Sequence, residues 1–311
     1  MEKSIAVTGA TGFIGRNLLT LLPAGMRVKA LVRPARLKAF RRLFPKVEWV
    51  VGDLSSPQAL EKLVAGTEAV IHLAGAIRGT SYEDFAATNL KGFLNLVAAA
   101  SRAGVKRFLY VSSLAARHPY LSPYAATKRQ AEDLLRQSPL RWQVFRPPAV
   151  YGPYDEGLTP LIKLMLKGVL PVPGDPQNRF SLIYVFDLCQ AILSWLEKDP
   201  EACKIYELHD GRPGGYSWLE VREIVARITG KTPRLVVVPE NILRMAGYGS
   251  LLASKIIGKA PLFSHYKVSE LCHPDWTCDN EEITKDLGWQ PRWPLEKALE
   301  EWVTNETGRN L

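Results

Sequence analysis

No uninterrupted apolar run in this chain approaches the roughly 18 residues that a membrane-spanning helix needs. The longest candidate, Ile242 to Ile257, is broken by Arg244 and Lys255. An integral span is therefore not expected, and weak contact with a membrane surface is the most this stretch supports. A secretory signal is missing as well: the N-terminus runs at once into Ile5-Ala6-Val7, too short for a signal's apolar centre. Cysteine is scarce. Cys189, Cys203, Cys272 and Cys278 match no zinc-ligand spacing, and a chain of 311 residues needs no disulfide staples. They read as free thiols in a reducing compartment, so a cytoplasmic location is expected. His265 and His273 lie near the last two cysteines without completing a metal pattern, and no metal site is expected. There is no basic tail, which argues against nucleic acid, and no internal repeat or low-complexity tract.

What is present is an ordinary globular composition, 47% hydrophobic and 23% charged, with a net charge of +9. The length suits one large domain or two unequal ones. The basic residues cluster once. Arg33, Arg36, Lys38, Arg41, Arg42 and Lys46 occupy a stretch without a single acid.

The first half alternates short apolar runs with helical patterns. Ser4–Thr8, Val28–Val32, Val47–Val51, Ala69–Leu73, Phe108–Ser112 and Gln143–Phe145 read as buried strands, rich in Val, Ile and Phe and bounded by turn residues. An amphipathic helix is expected from about Tyr82 to Arg102, with Phe93, Leu96, Val97 and Ala100 at three-and-four spacing. Strand–helix alternation predicts an α/β fold: a doubly wound, Rossmann-type parallel sheet with its ligand crevice at the carboxyl ends of the strands. The pattern changes near Tyr151, after which prolines are frequent and loops longer. Helices are expected at Leu158–Lys167, Val185–Glu197, Ser217–Thr229, Glu240–Ile257, Asn280–Leu287 and Leu295–Thr304, which makes a smaller, mostly helical lobe.

Two motifs carry chemistry. The first is Thr8-Gly9-Ala10-Thr11-Gly12-Phe13-Ile14-Gly15, joining the first strand to the first helix. Its glycines permit a tight turn and let backbone N–H groups approach a pyrophosphate, to which the helix N-terminus adds its positive end. The spacing is G-x-x-G-x-x-G. The second is Ser122-Pro123-Tyr124-Ala125-Ala126-Thr127-Lys128. Ser122 suits an N-cap and Pro123 the first helical position. Four-residue spacing puts Tyr124 and Lys128 on one helix face, where an ammonium favours the phenolate. Such a tyrosine exchanges a proton with a carbonyl or alcohol near neutral pH. Ser112 and Ser113 end the preceding strand, where a hydroxyl can hold the reacting oxygen.

With these motifs the chain resembles the extended short-chain dehydrogenases/reductases, the NAD-dependent epimerase/dehydratase superfamily. The resemblance also rests on Gly52-Asp53-Leu54, His72-Leu73-Ala74-Gly75, Asn89-Leu90-Lys91-Gly92, Val111-Ser112-Ser113, Arg146 through Pro153, Tyr184 through Leu188, and Leu287-Gly288-Trp289-x-Pro291. In character the tail, from Ala260-Pro261-Leu262-Phe263 through Trp276-Thr277-Cys278-Asp279, is similar to the steroid dehydrogenase and dihydroflavonol reductase branch. The resemblance implies roles. Tyr124 is then the proton donor or acceptor. Lys128 tunes it and bonds the nicotinamide ribose. Ser113, rather than Ser112, binds the substrate oxygen. Asn89 supports the site or is a helix-kink residue. Gly9, Thr11, Gly12, Phe13, Ile14, Gly15 and Arg16 hold the cofactor phosphates, and Leu73, Ala74 and Gly75 line the cofactor. Asp53 and Leu54 flank the adenine, although Asp53 equally suits a turn. Pro147 to Val150 border the carboxamide.

The expected organisation is a dinucleotide-binding domain over 1–155, with 178–208 packing back on it, and a substrate lobe from 156–177 and 209–311. In this fold the end of the second strand meets the adenosine ribose, where an acid selects NAD(H). Here Arg33 follows the strand with no acid near, so NADP(H) is expected over NAD(H), which is still accepted. The alternative for Arg33 to Lys46 is a solvated basic helix face. The expected activity is hydride transfer between NADP(H) and a carbonyl or alcohol of a largely apolar small molecule. The competing readings are a nucleotide-sugar epimerase or dehydratase, and a non-catalytic NADPH-binding subunit or redox sensor. Glu240–Ile257 fits a membrane contact, a greasy lid, or an ordinary small-lobe helix, and Trp276, Trp289, Trp293 and Trp302 fit the small-lobe core. A homodimer is an open expectation.

Overall fold

The computed structural model describes residues 4–198, 200, 203–257 and 264–307. The chain runs through β1 (Ser4–Thr8), α1 (Phe13–Leu21), β2 (Arg27–Val32), α2 (Pro34–Leu43), β3 (Glu48–Val51), α3 (Pro57–Val64), β4 (Ala69–His72), α4 (Tyr82–Ala86), α5 (Phe93–Arg102), β5 (Arg107–Val111), α6 (Pro123–Arg136) and β6 (Trp142–Arg146). It continues as β7 (Ala149–Tyr151), α7 (Thr159–Leu166), β8 (Val169–Pro173), β9 (Arg179–Phe180), β10 (Leu182–Tyr184), α8 (Val185–Glu197), β11 (Lys204–Glu207), β12 (Tyr216–Ser217), α9 (Trp218–Thr229), β13 (Arg234–Val238), α10 (Glu240–Ile257), α11 (His265–Leu271), β14 (Asp275–Trp276), α12 (Glu281–Leu287) and α13 (Leu295–Thr307). Two compact units result: Met1–Arg146 with Leu196–Tyr206, and Pro147–Trp195 with Glu207–Leu311.

The first unit is built on a seven-stranded sheet ordered β11-β6-β5-β4-β1-β2-β3. Every pairing from β3 through β1 to β6 is parallel. The central strands have no solvent face: every residue of β1, β4 and β6 is buried. That is why they read as continuous apolar runs rather than alternating ones. From β1 the chain winds to one side through β2 and β3, then returns to start β4 on the other. The switch point therefore lies between β1 and β4, where a doubly wound sheet opens a ligand crevice. One core layer packs Leu60, Leu63, Phe93, Leu96 and Val97 of α3 and α5 on Val70, Phe108 and Tyr110 of the sheet.

The helix expected from Tyr82 to Arg102 forms without a break, but it is not α-helical throughout. A six-residue π-helical turn, Ala87–Gly92, separates α4 from α5. Two contacts account for it. A Cβ on Gly92 would lie 2.6 Å from Leu54 Cβ, so only glycine lets the helix approach there. The widened turn also aims Asn89 at the backbone of Ala76. Such bulges tend to be kept where a side chain has to be re-aimed.

Among the described residues the second unit holds α7 to α13, or parts of them, around short strands that periodicity does not reveal, because pieces of two to five residues carry too little pattern. β7 pairs with β10 and β13 with β8, both in parallel, while β9 takes β12 on one side and β14 on the other. Its core gathers Ile162, Met165, Leu170, Val225 and Leu299, with Trp293 and Trp302 packed against it. Trp289 is 3% exposed and donates its indole N–H to Asp187 O at 3.1 Å. Two buried carboxylates tie the C-terminal segment down. Asp187 accepts from the N–H groups of Arg292 and Trp293, both at 2.9 Å, and Asp210 accepts from Tyr216 Oη at 2.7 Å and Leu295 N at 3.0 Å.

Candidate active site

The glycine-rich loop leaves β1 at the switch point. Thr8 Oγ1 lies 2.7 Å from His72 Nδ1 and Leu73 N donates to Thr8 O at 3.1 Å, which locks the ends of β1 and β4 together. Desolvation, with Lys128 nearby as a lesser cause, pushes the His72 imidazolium down to about 3, so the ring is neutral. Gly9 takes φ +72°, and a Cβ there would lie 2.5 Å from Ala74 N. Gly15 is equally closed in, its Cβ position 2.3 Å from Gly9 O. Gly12 differs. A Cβ on it would meet only Gly9 O, at 3.2 Å, a looser approach than at Gly9 or Gly15. Gly12 is the N-cap of α1, no side chain caps the helix and no acid lies in its first turn. An open approach to a helix N-terminus fits a pyrophosphate. Thr11, Phe13, Ile14 and Arg16 are half-buried around it, as are Leu73 and Ala74, while Gly75 is exposed.

Tyr124 and Lys128 sit one turn apart on α6. Ser122 caps the helix, its Oγ accepting from Ala125 N at 3.0 Å, and Pro123 occupies the first turn. Tyr124 is half-buried at the positive end of this helix, with the Phe85 ring 6.3 Å from its own. Lys128 is 4% exposed. Its Nζ donates to Val111 O at 3.0 Å and stands 4.4 Å from the centroid of the Tyr110 ring. Desolvation brings the ammonium down to about 7, against the opposing pull of Glu132. A lysine so placed changes its charge near neutrality.

The two serines at the end of β5 have separate employments. Ser112 is buried, and its Oγ donates to Glu132 Oε1 at 2.6 Å. Ser113 is half-buried and caps a short 3₁₀ turn, accepting from Ala115 N at 3.2 Å. The Ser113 O–H can still donate to a bound oxygen. Asn89 is a clamp. Its Oδ1 accepts from Ala76 N at 2.8 Å, and its Nδ2 donates to Ala76 O at 3.2 Å and to Thr127 Oγ1 at 3.1 Å. Thr127 in turn donates to Tyr124 O at 2.9 Å. A Cβ on Gly75 would lie 3.4 Å from Asn89 Oδ1 and 3.9 Å from Lys128 Nζ, so Gly75, Asn89 and Lys128 converge on one spot. Asn89 thus occupies the helix kink and reaches the site at once.

At the far side of the loop, Arg33 is exposed and caps α2, whose Arg36, Lys38, Arg41 and Arg42 are exposed as well. The stretch is a helix with a basic face, and its first turn leans on the glycine loop: Arg36 Nη1 donates to Thr11 O at 3.4 Å. Arg36 is not among the cofactor-binding candidates read from the sequence, and its place beside the loop follows from the helix that begins at Pro34. Asp53 forms a turn, its Oδ1 accepting from Ser55 N at 2.8 Å, Ser55 Oγ at 2.6 Å and Ser56 Oγ at 3.0 Å. Those bonds, Ser55's first and Arg33's charge last, lower its pKa. Leu54 is 8% exposed and packs on Gly92. Pro147 is buried and Val150 half-buried in β7, both in the second unit. Ala260 to Phe263 lie outside the described residues.

Among the described residues no helix is long and apolar enough to cross a membrane. Comparison with known proteins agrees with this architecture. The chain is similar to a ceramide reductase of Caulobacter vibrioides, 38% identical over 275 residues, covering 88% of this chain and 85% of that one. A 2-alkyl-3-oxoalkanoate reductase of Stenotrophomonas maltophilia is 28% identical over 95% of this chain and 97% of its own. Among solved structures, a UDP-glucose 4-epimerase of Thermotoga maritima superposes with a TM-score of 0.75 at 21% identity, over 99% of this chain and 100% of that one, a likeness of fold. The model of the NAD dependent epimerase/dehydratase family matches residues 5–208. With the glycine loop at the switch point and Tyr124 and Lys128 on one face of α6, the chain belongs to that family and is an enzyme of the extended short-chain dehydrogenase/reductase type.

Proposed function

We propose that the protein is an NADP(H)-dependent reductase of a ketone carried by a long-chain, largely apolar molecule, of the kind named for its ceramide reductase and 2-alkyl-3-oxoalkanoate reductase relatives. The observation that carries the reading is the division of labour at the end of β5. Ser112 is committed to Glu132, which leaves the half-buried Ser113 to take a carbonyl oxygen beside Tyr124 and Lys128. A bound NADPH supplies the hydride. Ser113 donates a hydrogen bond to the oxygen as negative charge develops there, and Tyr124 gives it the proton. Lys128, held from below by Val111 O, supplies positive charge to the tyrosine's surroundings when protonated. Gly9, Gly12 and Gly15 with the start of α1 hold the cofactor's phosphates. Arg33, with Arg36 and Arg16, gives the adenosine end its cations, which suits a 2′-phosphate. The substrate lobe in this reading is residues 156–177 and 209–311.

The test is NADPH oxidation by the purified chain with long-chain 3-oxo compounds, run beside NADH and beside UDP-sugars. Turnover of the ketones with a preference for NADPH supports the reading. Epimerisation of a UDP-sugar, with no ketone reduced, sinks it in favour of the nucleotide-sugar alternative.

A further inference from the structure

Charge in the second unit is segregated. Residues 231–267 hold six Lys and Arg (Lys231, Arg234, Arg244, Lys255, Lys259 and Lys267) against one acid, Glu240, a net of +5. The rest of that unit holds ten basic and eighteen acidic residues, a net of −8. The basic stretch has α10 at its centre.

α10 is apolar on two sides. Its inner side packs on α11: a Cβ on Gly247 would lie 2.5 Å from His265 N, and Tyr248 stacks on the His265 ring at 4.4 Å and 11°. Its outer side should be polar if water were its final environment. Instead Ile242, Met245 and Leu252 are 53%, 74% and 64% exposed. Ala246 and Gly249, also exposed, lie between them. At 3.6 residues per turn these five positions fall within an arc of about 120°. Val236 and Val237, just before α10, are exposed as well. A helix apolar on both faces belongs partly in an apolar medium.

The flanking charge selects the medium. A second copy would set one net-positive segment against another. An anionic bilayer accepts both features at once, the apolar arc at the boundary of headgroups and acyl chains and the cations among the phosphates. We propose that α10, with the exposed Lys231 and Arg234 before it, docks the protein on an anionic phospholipid bilayer, with Ile242, Met245 and Leu252 as the inserted side chains. The inference goes beyond the catalytic reading and does not rest on it.

The test is flotation of the full chain, without cofactor or substrate, with vesicles of phosphatidylcholine and phosphatidylglycerol and with vesicles of phosphatidylcholine alone. The wild type should float with the anionic vesicles, and roughly tenfold or more weaker with the neutral ones or at high salt. Joint Ile242→Ser, Met245→Ser and Leu252→Ser substitution should lower partitioning by roughly tenfold or more, with the melting temperature close to wild type. Lys231→Glu with Arg234→Glu, both exposed, should do the same by charge alone. Three results overturn the proposal: a wild type that does not float with anionic vesicles, serine variants that float as well as wild type, or a solution dimer that the serine variants dissociate.

Discussion

Arg146 and Glu132 form a fork in the interior of the first unit. Arg146 Nε donates to Glu132 Oε1 at 3.0 Å and its Nη2 donates to Oε2, while Glu132 is fully buried and the arginine side chain 10% exposed. Ser112 adds the third bond to the same carboxylate. The fork joins the end of β6 to α6 one turn beyond Lys128, so it holds the helix that carries Tyr124 and Lys128 against the carboxyl edge of the sheet. Arg146→Met should destabilise the protein by about 3–5 kcal/mol, since it leaves a buried carboxylate uncompensated. Adding Glu132→Gln should recover part of that loss. Urea unfolding of both variants and of Glu132→Gln alone measures it, and additive effects of the two substitutions would show that the pair is not coupled.

Tyr124→Phe should lower turnover by roughly 10²–10⁴ while leaving folding and cofactor affinity close to wild type, because the ring keeps its packing and only the proton is lost. Steady-state rates beside a cofactor titration test this. Substantial activity in the Phe variant would remove Tyr124 from the chemistry.

Arg33→Ala should weaken NADPH binding by about ten- to a hundredfold, the worth of a charge-assisted bond, and leave NADH almost unchanged. Arg36→Ala should behave the same way if its approach to Thr11 O brings it to the 2′-phosphate. Dissociation constants of both reduced cofactors decide. Variants that lose the two cofactors alike would remove these arginines from 2′-phosphate recognition.

Gly9→Ala and Gly12→Ala should part company. At Gly9 a Cβ strikes the Ala74 backbone at 2.5 Å with φ at +72°, so folding itself should suffer. At Gly12 the nearest atom is Gly9 O at 3.2 Å and φ is negative, so the melting temperature should fall much less than for Gly9→Ala. Cofactor affinity should nevertheless fall there by roughly tenfold or more, because the methyl group occupies the phosphate's approach. A Gly12→Ala variant with unchanged affinity would take the pyrophosphate away from this loop.

Lys128→Met should alter the pH dependence of stability in a defined sense. The folded-state pKa of Lys128 is lowered to about 7 from 10.5. Between those values the unfolded chain binds the extra proton, so wild-type stability rises with pH in that window. Below pH 7 the buried ammonium is present in the fold and its desolvation cost is fully felt. The variant should therefore gain on wild type at pH 6 and lose that gain as the pH approaches 10. Melting temperatures across the range test it, and a difference that does not change with pH would mean Lys128 keeps its ordinary pKa in the fold.

The sequence by itself determined whatever depends on near neighbours in the chain. The six strands of the first half were legible as short apolar runs, clearest in β1, β4 and β6, where both faces are covered and every residue is buried. The glycine loop and the Tyr124–Lys128 pair were legible because a turn and one helical turn have fixed geometries. Tertiary structure alone decided the partners across the sheet. Ser112 and Ser113 are adjacent and alike in sequence, and only the arrival of Glu132 from α6 distinguishes them. Asn89 became a clamp because a π turn, imposed by the approach of Leu54 to Gly92, aims it at Ala76. Arg146 found Glu132 because β6 lies beside β5 in the sheet order, and strand order is set by how whole layers bury their faces, which no local window of residues contains.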